Sequence, residues 1–233
     1  MSSVSSRYAL YFAPDAGTAL WTLGCAWLGR DARTGRTLPT PQIPDIPESR
    51  IARITRSPSH YGFHATLKAP FRLAEGYSEA MLKKDVSAFA RKRKPFVIPK
   101  LCVKDLHGFL ALRPAIMPPA LEDLAADCVR DFDKFRAPLA ETAMAKRLSA
   151  GLTDRQVALL RRWGYPYVLD EFRFHLTLTD TLTEEENETI KPVLSELFHR
   201  VIAEPIAVSA ITIFVQPSEC EPFTVLARYR FGR

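Results

Sequence analysis

Apolar and polar side chains alternate without a break in "EFRFHLTLTD", residues 171 to 180. Phe172, Phe174, Leu176 and Leu178 share one parity; Arg173, His175, Thr177 and Thr179 share the other. A strict period of two predicts a half-buried β-strand. "HYGFHATLKAP" has the same form, with His60, Gly62, His64, Thr66 and Lys68 opposite Tyr61, Phe63, Ala65, Leu67 and Ala69. In both places the face turned away from the core holds imidazoles, hydroxyls and a cation.

The rest of the chain supplies a frame for these two strands. "RYALYFAP" reads as a strand over 7–14, a helix follows over about 16–29, and "TLPTPQIPDIP" reads as an exposed connection, because proline removes donors and blocks helix. Helical spacing in "SEAMLKKDVSAFARKRK" begins at a Ser78 cap, and "FVIPKLCVKDLHGFLALRP" reads as a hairpin turning at Leu106-His107-Gly108. From about 118 to 163 the pattern is helical, with Thr153 capping "DRQVALLRRWG". After the second alternating strand, Thr183 caps "EEENETIKPVLSELFHRVI", whose acidic first turn suits a helix N-terminus and whose Pro192 should kink it. "IAVSAITIFVQ" and "FTVLARYRF" close the chain as two strands joined across "PSECEP".

Each half therefore runs strand, helix, hairpin, which is a duplication of element order. Duplicated units commonly meet about a pseudo-two-fold axis. The expectation is an α+β fold over 1–233: one bilobal domain, two antiparallel sheets flanked by helices, and a central cleft. The N-terminal unit spans about 58–115, a helical connection about 116–165, and the C-terminal unit about 166–233.

Composition narrows the function. A chain of 233 residues with 47% hydrophobic side chains can bury a core without staples. Cys25, Cys102, Cys128 and Cys220 are scattered and form no C-x-x-C pair, which disfavours zinc and favours a reducing compartment. "MSSVSSRYALYFAPD" has no signal-type apolar core and no apolar run is long enough to span a bilayer, so a cytoplasmic location is expected. The net charge of +6 is compatible with a phosphate-bearing partner without specifying one. "RKRK" (91–94) reads as a solvated helix end more readily than as a nucleic-acid patch.

His64-Ala65-Thr66-Leu67 and His175-Leu176-Thr177-Leu178 each set an imidazole and a hydroxyl on one strand face, roughly 6.5 to 7 Å apart. Two imidazoles facing each other supply a general base and a general acid near neutral pH, and the hydroxyls can donate to charged oxygens between them. Phosphodiester cleavage needs this set and needs no metal or cofactor. A single copy is more readily a satisfied polar pair in a sheet, but two copies in matching repeats favour chemistry.

The paired His-x-Thr-x units in matching repeats resemble the two-histidine phosphoesterase superfamily. "YGFHATLKAPF", "WGYPYV" and "FRFHLTLT" resemble a branch associated with phosphonate metabolism. The resemblance implies His64 and His175 as catalytic and Thr66 and Thr177 as phosphate ligands. Lys68 and Arg173 are further phosphate-binding candidates on the same face, or they mark where each strand emerges into solvent. Tyr165 and Tyr167 are candidates to contact a sugar or base, with core packing as the alternative. Thr179 has no expected role, His60 and His199 read as surface residues, and His107 as a turn residue. The expected activity is metal-independent hydrolysis of a small cyclic phosphodiester, and the resemblance points to a ribose cyclic phosphate. The alternatives are an enzyme acting on RNA ends with 2′,3′-cyclic phosphate, RNA ligase-like, and a non-catalytic nucleotide- or phosphate-binding module. A small phosphorylated sugar or nucleotide is the favoured partner over nucleic acid, and no membrane is involved.

Overall fold

The computed structural model describes residues 6–232; residues 1–5, the start of the stretch read as lacking a signal core, and residue 233 lie outside the described residues. The first half contains β1 (Arg7–Phe12), α1 (Ala19–Trp27), α2 (Glu48–Ile54), α3 (Arg56–Tyr61), β2 (Ala65–Arg72), α4 (Glu79–Arg91), β3 (Phe96–Ile98), β4 (Leu101–Leu106) and β5 (Phe109–Pro114). It continues through α5 (Pro119–Asp131), α6 (Glu141–Leu148) and α7 (Asp154–Trp163). The second half holds β6 (Leu176–Thr177), α8 (Glu184–Ala203), β7 (Ile206–Val208), β8 (Ala210–Gln216) and β9 (Thr224–Arg230).

The predicted caps are in place. The Ser78 side chain accepts from Met81 N, and Thr153 with Gln156 and Thr183 with Glu186 form capping boxes. α8 is one continuous helix through Pro192. Pro192 is on the exposed side of the helix, where the carbonyl its ring leaves without a partner is open to water.

The duplicated order β2-α4-β3-β4-β5 and β6-α8-β7-β8-β9 bears out the α+β fold with antiparallel sheets. The sheets are shared between the repeats. β2 lies in the order β2-β1-β8-β9, joined through β1 to the hairpin of the second repeat, and β6 lies in the order β4-β5-β6, beside the hairpin of the first. β3 and β7 pair with each other where the two repeats cross. The units at 58–115 and 166–233 thus exchange hairpins. α4 packs on β8 and β9, and α8 packs on β4 and β5. A continuous core built around Phe12, Phe63, Phe174, Phe198 and Phe214 lies under both sheets. Trp27 Nε1 donates to Leu178 O at 2.8 Å, tying the first helix to the second motif.

Two features of the motif strands differ from the sequence reading. The first strand begins at Ala65, because Ser59 to Tyr61 still belong to α3 and Gly62, at φ +82°, ends that helix. A Cβ on Gly62 would come within 2.6 Å of Ala32 Cβ, so both its conformation and its space call for glycine. His60 is consequently a half-buried helix residue whose Nε2 meets Gln216 Nε2 at 2.9 Å, and not a surface histidine. The second strand pairs only over Leu176 and Thr177, although buried and open side chains still alternate from Arg173 to Leu178.

Candidate active site

Both motif histidines stand one residue ahead of their strands, and both are fixed by the same bond. His64 Nδ1 lies 2.8 Å from Gly62 O, and His175 Nδ1 lies 2.6 Å from Arg173 O. A carbonyl oxygen only accepts, so each Nδ1 carries the hydrogen and each Nε2 is left as the basic nitrogen of a neutral ring. His64 Nε2 lies 3.2 Å from Thr66 Oγ1, and the His64 ring stacks on Tyr11 with centroids 3.7 Å apart. His175 lies beside Phe109, centroids 5.7 Å apart.

The motifs meet in one cleft made of two adjoining cavities. One, of about 350 Å³, is lined by His64, Thr66 and Thr177 with Arg7, Tyr11, Tyr61, Arg147 and Tyr165. The other, of about 680 Å³, is lined by His175 and Thr66 with Phe109, Arg113, Arg173, Tyr165 and Tyr167. Thr66, Phe109 and Tyr165 belong to both. Each histidine therefore shares its cavity with the threonine of the other motif.

Electrostatics favour neutral rings in the cleft. Burial pushes His64 down to about 3; its bond to Gly62 O opposes this, and the charge of His175 adds to it. Burial also lowers His175, again opposed by the carbonyl bond and reinforced by Arg113. Tyr11 is held well above its usual range, first by burial and then by Tyr61 and Tyr165, so its phenol stays protonated beside Thr66. An anion between the histidines would offset these penalties and favour protonation of one ring.

The other predicted residues divide. Lys68 is 3% exposed, and its ammonium donates to Val129 O at 3.1 Å and meets Asp133 Oδ1 at 3.4 Å. It does not line either histidine cavity. Register shifts in the β1–β2 ladder on either side of Lys68 break the alternation that had set it on the face of Thr66. Arg173 lines the His175 cavity, and its Nη1 donates to Phe172 O and Asp170 O. Tyr165 lines both cavities, whereas Tyr167 is 46% exposed at the rim of the second. Thr179 is 1% exposed, and its hydroxyl accepts from Leu110 N at 2.9 Å, a structural use in keeping with no role.

Tyr11, Arg7, Arg113 and Arg147 were missed. Tyr11 and Arg7 lie in a strand read only as the first element, and no local motif marks Arg113 or Arg147. The Arg113 Nε is buried without a hydrogen-bond partner among the described residues. Among the described residues no three His, Cys, Asp or Glu side chains converge as metal ligands, and no helix is long and apolar enough to cross a membrane.

Comparison with known proteins places the chain. A family model described as a protein of unknown function (DUF1045) matches residues 66–224, and the chain belongs to this family. The match bears out the family resemblance drawn from the motifs. The chain is 40% identical over 235 residues to a protein of Janthinobacterium sp. (strain Marseille) named ribose 1,5-bisphosphate phosphokinase PhnN, covering 99% of this chain and 52% of that protein. A protein of the same name from Laribacter hongkongensis (strain HLHK9) is 37% identical over 212 residues, covering 91% and 48%. The chain thus spans about half the length of the curated relatives it matches. Among solved structures, E. coli LigT complexed with 3′-AMP aligns at TM-score 0.46 with 15% identity, covering 98% of this chain and 99% of that one. A phosphoesterase aligns at TM-score 0.41, also with 15% identity and covering 98% and 99%.

Proposed function

We propose that this member of the DUF1045 family is a phosphoesterase that opens a small cyclic phosphodiester by paired-histidine acid–base catalysis. One observation carries the reading: His64 and His175 are set identically, each Nδ1 tied to the carbonyl two residues back, beside threonines that line a common cleft. One Nε2 takes a proton from water as its oxygen bonds to phosphorus. The other ring, protonated once the anion is bound, gives its proton to the sugar oxygen as the P–O bond breaks. Thr66 and Thr177 donate to the phosphoryl oxygens, and Arg113 offers a cation on the His175 side.

The relatives' name suggests the sugar. Adding water across the P–O2 bond of a 5-phosphorylated ribose 1,2-cyclic phosphate leaves the phosphate on O1 and yields ribose 1,5-bisphosphate, the compound in that name. This fits the resemblance to a branch associated with phosphonate metabolism. The chain contains no G-x-x-x-x-G-K-[ST] stretch to cradle a nucleotide phosphate. We therefore assign the kinase of the name to the half of the relatives that this chain does not span.

The test is a turnover screen of the purified protein against cyclic phosphates, with EDTA present. Hydrolysis that EDTA leaves unchanged is expected. Loss with EDTA and recovery with a divalent ion refutes the metal-free mechanism, and no hydrolysis of any cyclic phosphate refutes the reading itself. For an RNA end as substrate, activity should fall steeply with salt, because several phosphates would be engaged.

A further inference from the structure

The His64 cavity holds two cations for which neither the motifs nor the proposed chemistry accounts. Arg7 at the start of β1 and Arg147 in α6 both line the His64 cavity. Both also line the neighbouring cavity on their far side. They are close enough to influence each other: Arg147 is lowered first by burial, with the charge of Arg7 contributing. Among the described residues, neither has a carboxylate within ion-pair distance. Glu219, which lines that far cavity, is paired with Arg72 at 2.9 Å.

Neither arginine is loose. Arg7 Nε donates to Gln216 Oε1 at 2.6 Å, and Gln216 is 1% exposed. The Gln216 amide is held in turn by Glu221 O at 2.8 Å and by the neutral His60 Nε2 at 2.9 Å. Arg7 also lies over the Phe223 ring, 5.5 Å from its centroid. Arg147 Nη1 donates to Gly164 O, and its guanidinium lies 5.9 Å from the Tyr165 centroid. A guanidinium has five N–H donors, so each arginine keeps donors to spare. Two oriented like charges without a counterion are unfavourable alone and complementary to an anion.

We propose that Arg7 and Arg147 form a second anion subsite, which takes a phosphomonoester on the same small substrate whose cyclic phosphate lies at His64 and His175. This rests on the phosphoesterase reading and names the substrate class: a cyclic phosphate of a sugar that bears a further phosphate. Two guanidiniums match the charge of a phosphomonoester dianion, whereas each internal phosphate of RNA carries a single charge. The cavity of about 350 Å³ is at the small end of ligand sites. No bond changes at this subsite; it binds the substrate and sets its register against the histidines.

The experiment compares ribose 1,2-cyclic phosphate with its 5-phosphorylated form, in the wild type and in Arg7→Gln and Arg147→Gln. The wild type should prefer the phosphorylated form by about 100-fold in kcat/KM, two charge-assisted contacts of roughly tenfold each. Each substitution should reduce that preference about tenfold, mainly through KM, and Arg147→Lys should restore part of it. If a glutamine variant fails to fold by circular dichroism, the lysine variants of both arginines serve instead, with a smaller reduction expected. No preference in the wild type, or one that no folded variant changes, overturns the subsite and leaves the phosphoesterase reading standing. If neither sugar is hydrolysed, calorimetric binding of ribose 5-phosphate decides separately. Binding weakened in the arginine variants supports the subsite, and binding that is absent or indifferent to them overturns it. Preference for an RNA 2′,3′-cyclic end over both sugars, falling steeply with salt, overturns it in favour of nucleic acid.

Discussion

The two His-x-Thr motifs reach the same cleft on strands of unequal quality. β2 runs over eight residues against β1, while β6 pairs with β5 at only two positions. His64 is stacked on Tyr11 and hydrogen-bonded to Thr66, whereas His175 lies against Phe109 in the larger cavity near the exposed Arg173. Yet both imidazoles are held by the carbonyl two residues back, and the apolar neighbours of both, Phe63, Ala65, Phe174 and Leu176, are fully buried. Ring placement therefore depends on one local hydrogen bond and an anchored apolar face more than on the length of the ladder.

The largest test of this equivalence is removal of each ring. His64→Ala and His175→Ala should each lower kcat by about 10²-fold or more, despite their unlike surroundings. The double variant should be little worse than the poorer single one, because the rings act as a unit. If one substitution is silent, the motifs are not partners.

The threonines sharpen the contrast. Thr66→Val and Thr177→Val should cost roughly 2 to 4 kcal/mol in kcat, with smaller effects on KM, since the hydroxyls donate most strongly as charge builds on oxygen. Only Thr66 touches its own histidine, so only Thr66→Val should also displace the pH profile. Equal profiles for the two variants would remove that distinction.

Lys68→Met separates the first strand's cleft face from its underside. Asp133 keeps Arg136 at 2.8 Å, so losing the lysine should cost about 1 to 3 kcal/mol of stability in urea unfolding. A variant of unchanged stability whose KM has risen would return Lys68 to substrate binding.

A further test concerns pH. With His64 pushed down to about 3 from an ordinary 6.5, the unfolded chain binds the extra proton between those values. Stability from this ring is complete above about 6.5 and is lost as pH falls toward 3. His64→Gln should flatten that slope in urea titrations at successive pH values, and added phosphate should flatten it in the wild type. A slope indifferent to the substitution would show that His64 is not the group responsible.

The two histidines and two threonines were legible because a duplicated unit leaves a duplicated local pattern, and β-alternation states which side chains share a face. The helix caps at Ser78, Thr153 and Thr183 were legible for the same reason: their bonds close within three residues. Arg7, Arg147 and Arg113 were not, since no short-range rule brings positions 7, 113 and 147 to one cleft. Lys68 was misread because irregular register, which depends on the partner strand, rotates a side chain off its expected face. The α3 helix was missed because alternation in "HYGFH" continued by chance through a turn that Gly62 makes at positive φ.

Sequence alone determined the kinds of most elements, their duplicated order and the four motif side chains, since each follows from interactions among near neighbours. Tertiary structure alone decided that the repeats exchange hairpins, so that β8 and β9 extend the sheet of His64 and β4 and β5 that of His175. It also decided which cations surround the motifs. Both outcomes depend on pairing between segments distant in the chain, where hydrophobic burial fixes one register and one neighbour among several that the local pattern allows.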